Sequence, residues 1–372
     1  MQKKRKNENC KTLWSPAAGR RHACAMASCK KDAEVPALNP VEINLPNTLS
    51  LSYGEQQQVA LPASLLGASD IKIAISFNET ANIQITPDSK LHDKLAKAVM
   101  FDQTAGKLTV NTLLLYPNGS VSSVNGSKIP DSYKITVSAK SAKENFEGKQ
   151  TIDMKIRPSK LTVKGLDNQS DLPFAYVLHG DPANYDFEVP QAILTGATWD
   201  IANKSTLGTD VSYKGNQLQF SSTVGDKNKK EEKSYDVVPV LQKDGFTIAS
   251  QTFRVVFIPQ IKFFYGTYYA DLNLTILLNQ LHIALSNGYL SAVPTLYPEK
   301  YKSAFAITGI EKDGKVFSNK DGIVEMNSAT GSVTVKKNTI LTAGAYKITA
   351  KATTTTGLEF TTTLTLNMSS AE

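Results

Sequence analysis

Short alternations of apolar and polar residues, punctuated by Gly, Pro, Asn and Asp, fill the chain beyond its first 36 residues. A period of two is the mark of half-buried strands, and runs with helical period are scarce. Residues 91–99 (LHDKLAKAV) are expected to form one short helix. Abundant Ser and Thr lean the same way, toward β structure.

The strand pattern recurs three times in one order, as tandem units do. An alternating strand runs into a small-residue loop at Val59–Ala68 and again at Phe187–Ala197, with a weaker third copy at Leu281–Leu285. Each of the first two leads to another strand-like run, Ile71–Phe77 and Trp199–Ala202. Next comes a turn glycine and a strand: Gly106 before Leu108-Thr109-Val110, Gly215 before Gln217–Phe220, Gly331 before Val333-Thr334-Val335. Glycine supplies the positive φ that a tight turn demands. Last, a tyrosine opens a strand at Tyr133, Tyr235 and Tyr346, each followed by a closing strand. The spacing from turn glycine to tyrosine is 27, 20 and 15 residues, with the differences in loops rich in Asn, Gly, Ser and Lys. Strands kept while loops are resized is how related sandwiches vary.

These features predict an all-β chain of three tandem immunoglobulin-like β-sandwich domains. A tyrosine at the head of the penultimate strand resembles the tyrosine corner of such domains, a structural role. The closing strands end at Arg157-Pro158 and Ile258-Pro259, and proline ends a ladder and stiffens a linker. Boundaries are therefore expected at 37–158, 159–260 and 261–372, joined as a semi-rigid rod, with residues 1–36 as leader and tether. The fragment 330–352 (TGSVTVKKNTILTAGAYKITAKA) resembles the immunoglobulin- and cadherin-like modules of bacterial surface proteins.

Composition is that of a folded protein, 41% hydrophobic and 20% charged. The formal charge of +7 is uneven. Of 41 basic and 34 acidic residues, seven basic and one acidic lie in the first 28, leaving 34 against 33 beyond them. A nucleic-acid binder carries its excess on the folded body, so that class is excluded.

All three cysteines, Cys10, Cys24 and Cys29, fall in the first 29 residues, so the body holds no disulfide, thiolate nucleophile or cysteine metal site. Residues 23–34 (ACAMASCKKDAE) resemble the lipobox of bacterial lipoproteins, in which cleavage precedes a cysteine that receives diacylglycerol. Lys3-Lys4-Arg5-Lys6 would be the basic opening of the leader. Pro16, Arg20, Arg21 and His22 interrupt the apolar core such a leader needs. Two readings stay open: an altered or misassigned leader upstream of a true lipidation site at Cys29, or a basic tail with unrelated cysteines. Taken with the tandem modules, the chain resembles Bacteroidota surface lipoproteins, which implies an extracytoplasmic protein lipid-anchored to the outer membrane or cell surface.

Catalytic and metal chemistry have few candidates. The body's histidines, His92, His179 and His282, lie in no metal-binding spacing, and no GxSxG elbow or phosphate loop occurs. The expected boundaries lack the carboxylates of interdomain calcium sites, and Asp167–Asp171 reads as a solvated loop. No catalytic residue, metal or cofactor is assigned. The remaining lead is aromatic: residues 263–269 (FFYGTYY) hold five rings, and alternation would bury Phe264 and one neighbour and expose the other rings. Sugars stack on such rings, so Tyr268, Tyr269 and Trp199 are the candidate stacking residues. Core packing for Trp199 and interdomain packing for the tyrosines are the competing roles.

The expectation is a surface-anchored, non-enzymatic binding protein for carbohydrate. The alternatives are an adhesin or envelope component with a protein partner, and a glycoside-active enzyme. Exposed rings along one face would favour sugar, an unpaired edge strand a protein partner or assembly, and a buried carboxylate pair the enzyme. If Cys29 is the anchor, the chain behind a longer apolar leader should incorporate labelled fatty acid in a bacterium. Cys29→Ala should abolish the label, and label that persists would place the anchor elsewhere.

Overall fold

The computed structural model describes residues 38–67, 69–78, 82–225 and 231–370; Cys29 and the expected leader lie outside the described residues. The chain is all-β and forms three tandem immunoglobulin-like sandwiches. In the first, Phe146–Arg157 sits between Tyr133–Ser141 and the parallel strand Thr48–Ser52, and Lys72–Phe77 flanks Tyr133–Ser141. The other sheet is Gln56–Ala60, Lys107–Asn111 and Val99–Asp102. Alternation sorts the faces: Tyr133, Ile135, Val137 and Ala139 turn inward and are buried, while Lys134 and Lys140 face solvent. The short helix Leu91–Ala98 forms where expected and buries Leu91, Leu95 and Ala98, spaced four and three apart on one face.

One set of pairings recurs in all three sandwiches. A strand adds in parallel to the closing strand: Thr48–Ser52 on Phe146–Arg157, Phe174–Leu178 on Phe253–Ile258, Gln280–Ala284 on Glu359–Ser369. The tyrosine-led strand pairs antiparallel with the same closing strand each time. Gly106, Gly215 and Gly331 have φ of 62°, 64° and 78°, the left-handed region their turns need.

The third copy of the first repeat needs correction. After Pro62 and Pro190 the chain makes helical turns at Ala63–Leu66 and Gln191–Leu194. The counterpart in the third sandwich is Thr295–Tyr297, Pro298 and the 3-10 turn Glu299–Tyr301, ahead of Lys302–Lys312. Residues 281–285, expected in that role, belong mostly to the parallel strand Gln280–Ala284. Two short alternating runs look alike in one dimension, and only their pairing partners separate them.

The three tyrosines are structural. Tyr133 is fully buried and its hydroxyl donates to the Tyr116 carbonyl at 2.7 Å. The Tyr346 hydroxyl donates to the Thr342 carbonyl at 3.1 Å, four residues upstream, as in a tyrosine corner. The Tyr235 hydroxyl donates instead to the Asp210 carboxylate at 2.7 Å, and that bond, helped by Lys233, holds Asp210 below the usual carboxylate range.

Apolar packing continues across the junctions. Leu241, Phe246, Ile248 and Ala249, from the Pro239–Lys243 and Phe246–Ser250 hairpin of the second sandwich, share one core with Tyr53, Tyr116 and Ile156 of the first. The Phe246 and Tyr116 rings lie 4.6 Å apart, and the Tyr116 hydroxyl donates to the Asp244 carboxylate. At the hairpin tip Ser122 Oγ donates to the Asp244 carbonyl at 3.0 Å and Ser123 N–H to the Gly245 carbonyl at 2.9 Å. Gly245 has φ +80°, and a Cβ there would lie 2.5 Å from Ser122 Oγ, so the tip admits no side chain. Between the second and third sandwiches, Val256 and Ile258 enter a core with Phe263, Tyr265 and Leu296. Glu232 Oε1 accepts from Lys300 Nζ at 2.8 Å and from the Tyr301 hydroxyl at 2.6 Å.

Two outcomes follow from this packing. Tyr133→Ala should cost about 3–5 kcal/mol of unfolding free energy in urea, as large-to-small changes of buried aromatics do; an unchanged midpoint would remove Tyr133 from the core. Glu232 is held below the ordinary glutamate value of 4.5, chiefly by Lys300 and then by Tyr301. A depressed carboxylate stabilises fully above its unfolded value and loses that contribution as pH falls through its folded one. Both partners are half-exposed, so the effect is small. Glu232→Gln should melt slightly below wild type at neutral pH, with the gap closing in acid. A gap that acid leaves unchanged would refute the linkage.

Candidate functional site

The aromatic run that opens the third sandwich divides into a buried and an exposed part. Phe263, Phe264 and Tyr265 are all buried, where strict alternation would have exposed one of them. Phe263 packs on Phe305 at 5.7 Å, and the Tyr265 hydroxyl donates to the Gly331 carbonyl at 3.0 Å. Burial pushes the Tyr265 hydroxyl up, so it stays a donor. Gly266 then redirects the chain. Its φ is +144°, and a Cβ there would fall 2.0 Å from the Ile276 carbonyl oxygen, so only glycine allows Gly266–Tyr269 to pair closely with Leu274–Leu277.

Tyr268 is half-buried and its ring has two neighbours. The Tyr297 ring lies 5.0 Å away and Lys262 Nζ sits 4.5 Å from the ring centroid, a cation–π arrangement. Its hydroxyl donates to Asn273 Oδ1 at 2.8 Å. Beside it runs an open groove of about 570 Å³ lined by Thr267, Tyr268, Pro294, Tyr297, Glu299 and Lys302. That volume falls within the range of small-ligand sites, and the lining offers ring edges, one carboxylate and one ammonium. Tyr269 is 47% exposed and is the freer of the two expected stacking tyrosines.

Trp199 lies elsewhere, in the strand Thr198–Ile201 of the second sandwich. It is half-buried among Phe187 at 5.4 Å and Tyr213 at 6.1 Å, packed against the core shared with the first sandwich. The structure therefore does not join Trp199 to the two tyrosines in one site. Cys29 is outside the described residues. Among the described residues no group of three or more His, Cys, Asp or Glu could hold a metal ion, and no helix is long and apolar enough to cross a membrane.

A different surface went unread in the sequence. The hairpin Gly266–Tyr269 and Leu274–Leu277 projects Leu272, Leu274, Ile276, Leu277 and Leu278, with Leu272 72% and Leu277 57% exposed. Every residue of Leu274–Leu277 is exposed, on both faces of the ribbon. Among the described residues that strand pairs with Gly266–Tyr269 alone, so its outer edge is unpaired. Charge, proline or a bulge usually guards an edge of this kind; residues 272–281 (LNLTILLNQL) contain no charge and no proline. That apolar run was the available signal, but apolar alternation is ordinarily taken to mean burial.

No protein-family model matches the chain, and no curated protein matches it. Among solved structures, extracellular domains 3–5 of Drosophila OTK align over 89% of this chain and 100% of that one, at 12% identity and a TM-score of 0.31. Immunoglobulin domains 1–4 of Sidekick-1 align over 90% of this chain and 75% of that one, at 10% identity and a TM-score of 0.29. Extracellular cadherin domains 3–6 of protocadherin gamma B2 align over 87% and 72%, at 13% identity and a TM-score of 0.23. Likeness at this level carries no inference about ligand or activity. The class, a tandem immunoglobulin-like β-sandwich protein, rests on the strand pairings themselves.

Proposed function

We propose that the protein is a non-enzymatic binding protein of the cell surface that engages a protein partner through the exposed hairpin of its third sandwich. The observation that carries this reading is the unpaired, uncharged strand Leu274–Leu277 with apolar side chains on both faces. A bare edge offers main-chain hydrogen bonds to an added strand, and the apolar side chains give that strand something to cover. In this reading residues 1–36 tether the chain through a lipid on Cys29, outside the cytoplasm. The sandwiches, with boundaries near 37–158, 159–260 and 261–372, hold the hairpin away from the membrane. The apolar junctions favour this spacer role, since they leave little slack between neighbours.

The carbohydrate reading is second; the exposed ring of Tyr269 and the 570 Å³ groove lined by Tyr268 and Tyr297 favour it. Against it, Tyr268 already packs on Tyr297 and carries Lys262 over its ring, which leaves less of it open to a sugar. Glu299 is the only carboxylate in that groove's lining, and glycoside hydrolysis calls for a pair.

A photo-crosslinking amino acid at position 277 tests the two readings on intact cells, with position 316 as control because Val316 is 92% exposed elsewhere on the same sandwich. Adducts to protein at 277 and none at 316 are expected. Protein adducts absent from 277, together with glycan-array binding that Tyr269→Ala abolishes, would replace the protein reading with the carbohydrate one.

A further inference from the structure

Resting on that reading, we propose that the partner of the Leu274–Leu277 edge is the same edge of a second copy of this chain, paired antiparallel about a two-fold axis at Ile276. The free backbone groups are the first reason. Leu278 N–H donates to the Tyr265 carbonyl at 2.9 Å, in register with the Gly266–Leu277 pairing. In an antiparallel ladder hydrogen-bonded and non-bonded positions alternate, so Leu278, Ile276 and Leu274 bond inward while Thr275 and Leu277 direct N–H and C=O outward. Those two residues are self-complementary. With Ile276 on the axis, Thr275 faces Leu277 of the second copy and Leu277 faces its Thr275, each pair exchanging both its N–H···O=C bonds.

Side chains fit the same register. Leu274, Ile276 and Leu278 lie on one face of the strand. Across the axis Leu274 meets Leu278 of the second copy, Ile276 meets Ile276, and Leu278 meets Leu274. Every rung of that face is aliphatic, and such cross-strand pairs are favourable. Residues 272–281 carry no charge to repel a second copy and none to select a charged foreign strand. Area is sufficient. The exposed fractions of Leu272, Leu274, Ile276, Leu277, Leu278 and Tyr269 amount to roughly 500 Å² of apolar surface, near the top of what a monomer usually shows. Complete burial of two such patches would remove on the order of 1,000 Å², the lower bound for a specific interface.

A lipid surface fits less well. Hydrocarbon leaves the outward N–H and C=O groups of Thr275 and Leu277 unsatisfied, whereas a strand satisfies them. The hairpin tip sets Leu272 between Asp271 and Asn273, and the other apolar residues lie along its side.

Sedimentation equilibrium of the full chain is the test. The expected result is a concentration-dependent doubling of the 40.4 kDa mass in the micromolar range. Thr275→Pro removes an outward donor while sparing the bonds to Gly266–Tyr269, a position where an edge tolerates proline. Ile276→Lys sets two like charges against each other on the axis. Each should restore the monomer with circular dichroism unchanged. Wild type that stays monomeric at its solubility limit overturns the proposal, as does a dimer that survives both substitutions. So does a monomer that pellets with phosphatidylglycerol vesicles, which would assign the edge to lipid. If either variant misfolds, hydrogen exchange on the wild type decides: protection of the Thr275 and Leu277 amides must rise with concentration, and constant protection overturns the pairing. A chain that is monomeric in solution yet yields adducts to other proteins from position 277 on cells would leave the protein-partner function standing and remove self-pairing alone.

Discussion

The contact on which the arrangement turns is the hairpin tip of the second sandwich set against the first, with Phe246 on Tyr116 and Asp244 at the Tyr116 hydroxyl. Leu241, Phe246, Ile248 and Ala249 are all fully buried, though they belong to a different sandwich from most of the core they complete. Burying a large aliphatic or aromatic side chain contributes about 1.5–3 kcal/mol, so the hairpin couples the two sandwiches through the surface it covers. The polar groups are matched as well. Burial first, and then the hydrogen bond to Asp244 and its charge, push the Tyr116 hydroxyl up, which keeps it protonated as the donor the carboxylate needs. Lys94 stands 3.8 Å from Asp244 and supplies a countercharge.

The hairpin reaches the first sandwich because the chain of the second changes sheets partway. Lys233–Val237 pairs with Phe253–Ile258, but Pro239–Lys243, two residues later, pairs with Phe246–Ser250 and Thr198–Ile201 in a separate sheet. A register shift between Leu241 and Gln242 adds twist at the point of contact. The second sandwich thus spends part of its strands on its own core and part on its neighbour's. The junction with the third uses fewer such residues, Val256 and Ile258, supported by the Glu232, Lys300 and Tyr301 group.

With apolar surface spent so thoroughly at the junctions, the exposed ribbon at 266–278 stands out as the one place where leucine and isoleucine cluster outside a core among the described residues. It interrupts the third sandwich between Lys262–Phe264, which pairs with Thr295–Tyr297, and Gln280–Ala284, which joins the closing strand in parallel. Its outer strand, Leu274–Leu277, is exposed throughout, and at the rim of a sandwich a binding surface is least costly to stability.

Periodicity and punctuation were enough to give the strands, the helix at Leu91–Ala98, the three left-handed turn glycines and the inward tyrosines, because each depends on a handful of neighbours along the chain. Burial of all three of Phe263, Phe264 and Tyr265 was not legible, since it requires neighbours from Val256 to Gly331 that no local pattern names. The same limit misplaced the third repeat at residues 281–285, where pairing rather than pattern distinguishes one strand from another. Trp199 as a partner of Phe187 and Tyr213, and Tyr268 as a neighbour of Tyr297 and Lys262, were likewise decided in three dimensions. Composition says which residues prefer to leave water. Whether there is a surface to receive them is a property of the assembled fold, and for residues 272–278 the fold supplies none.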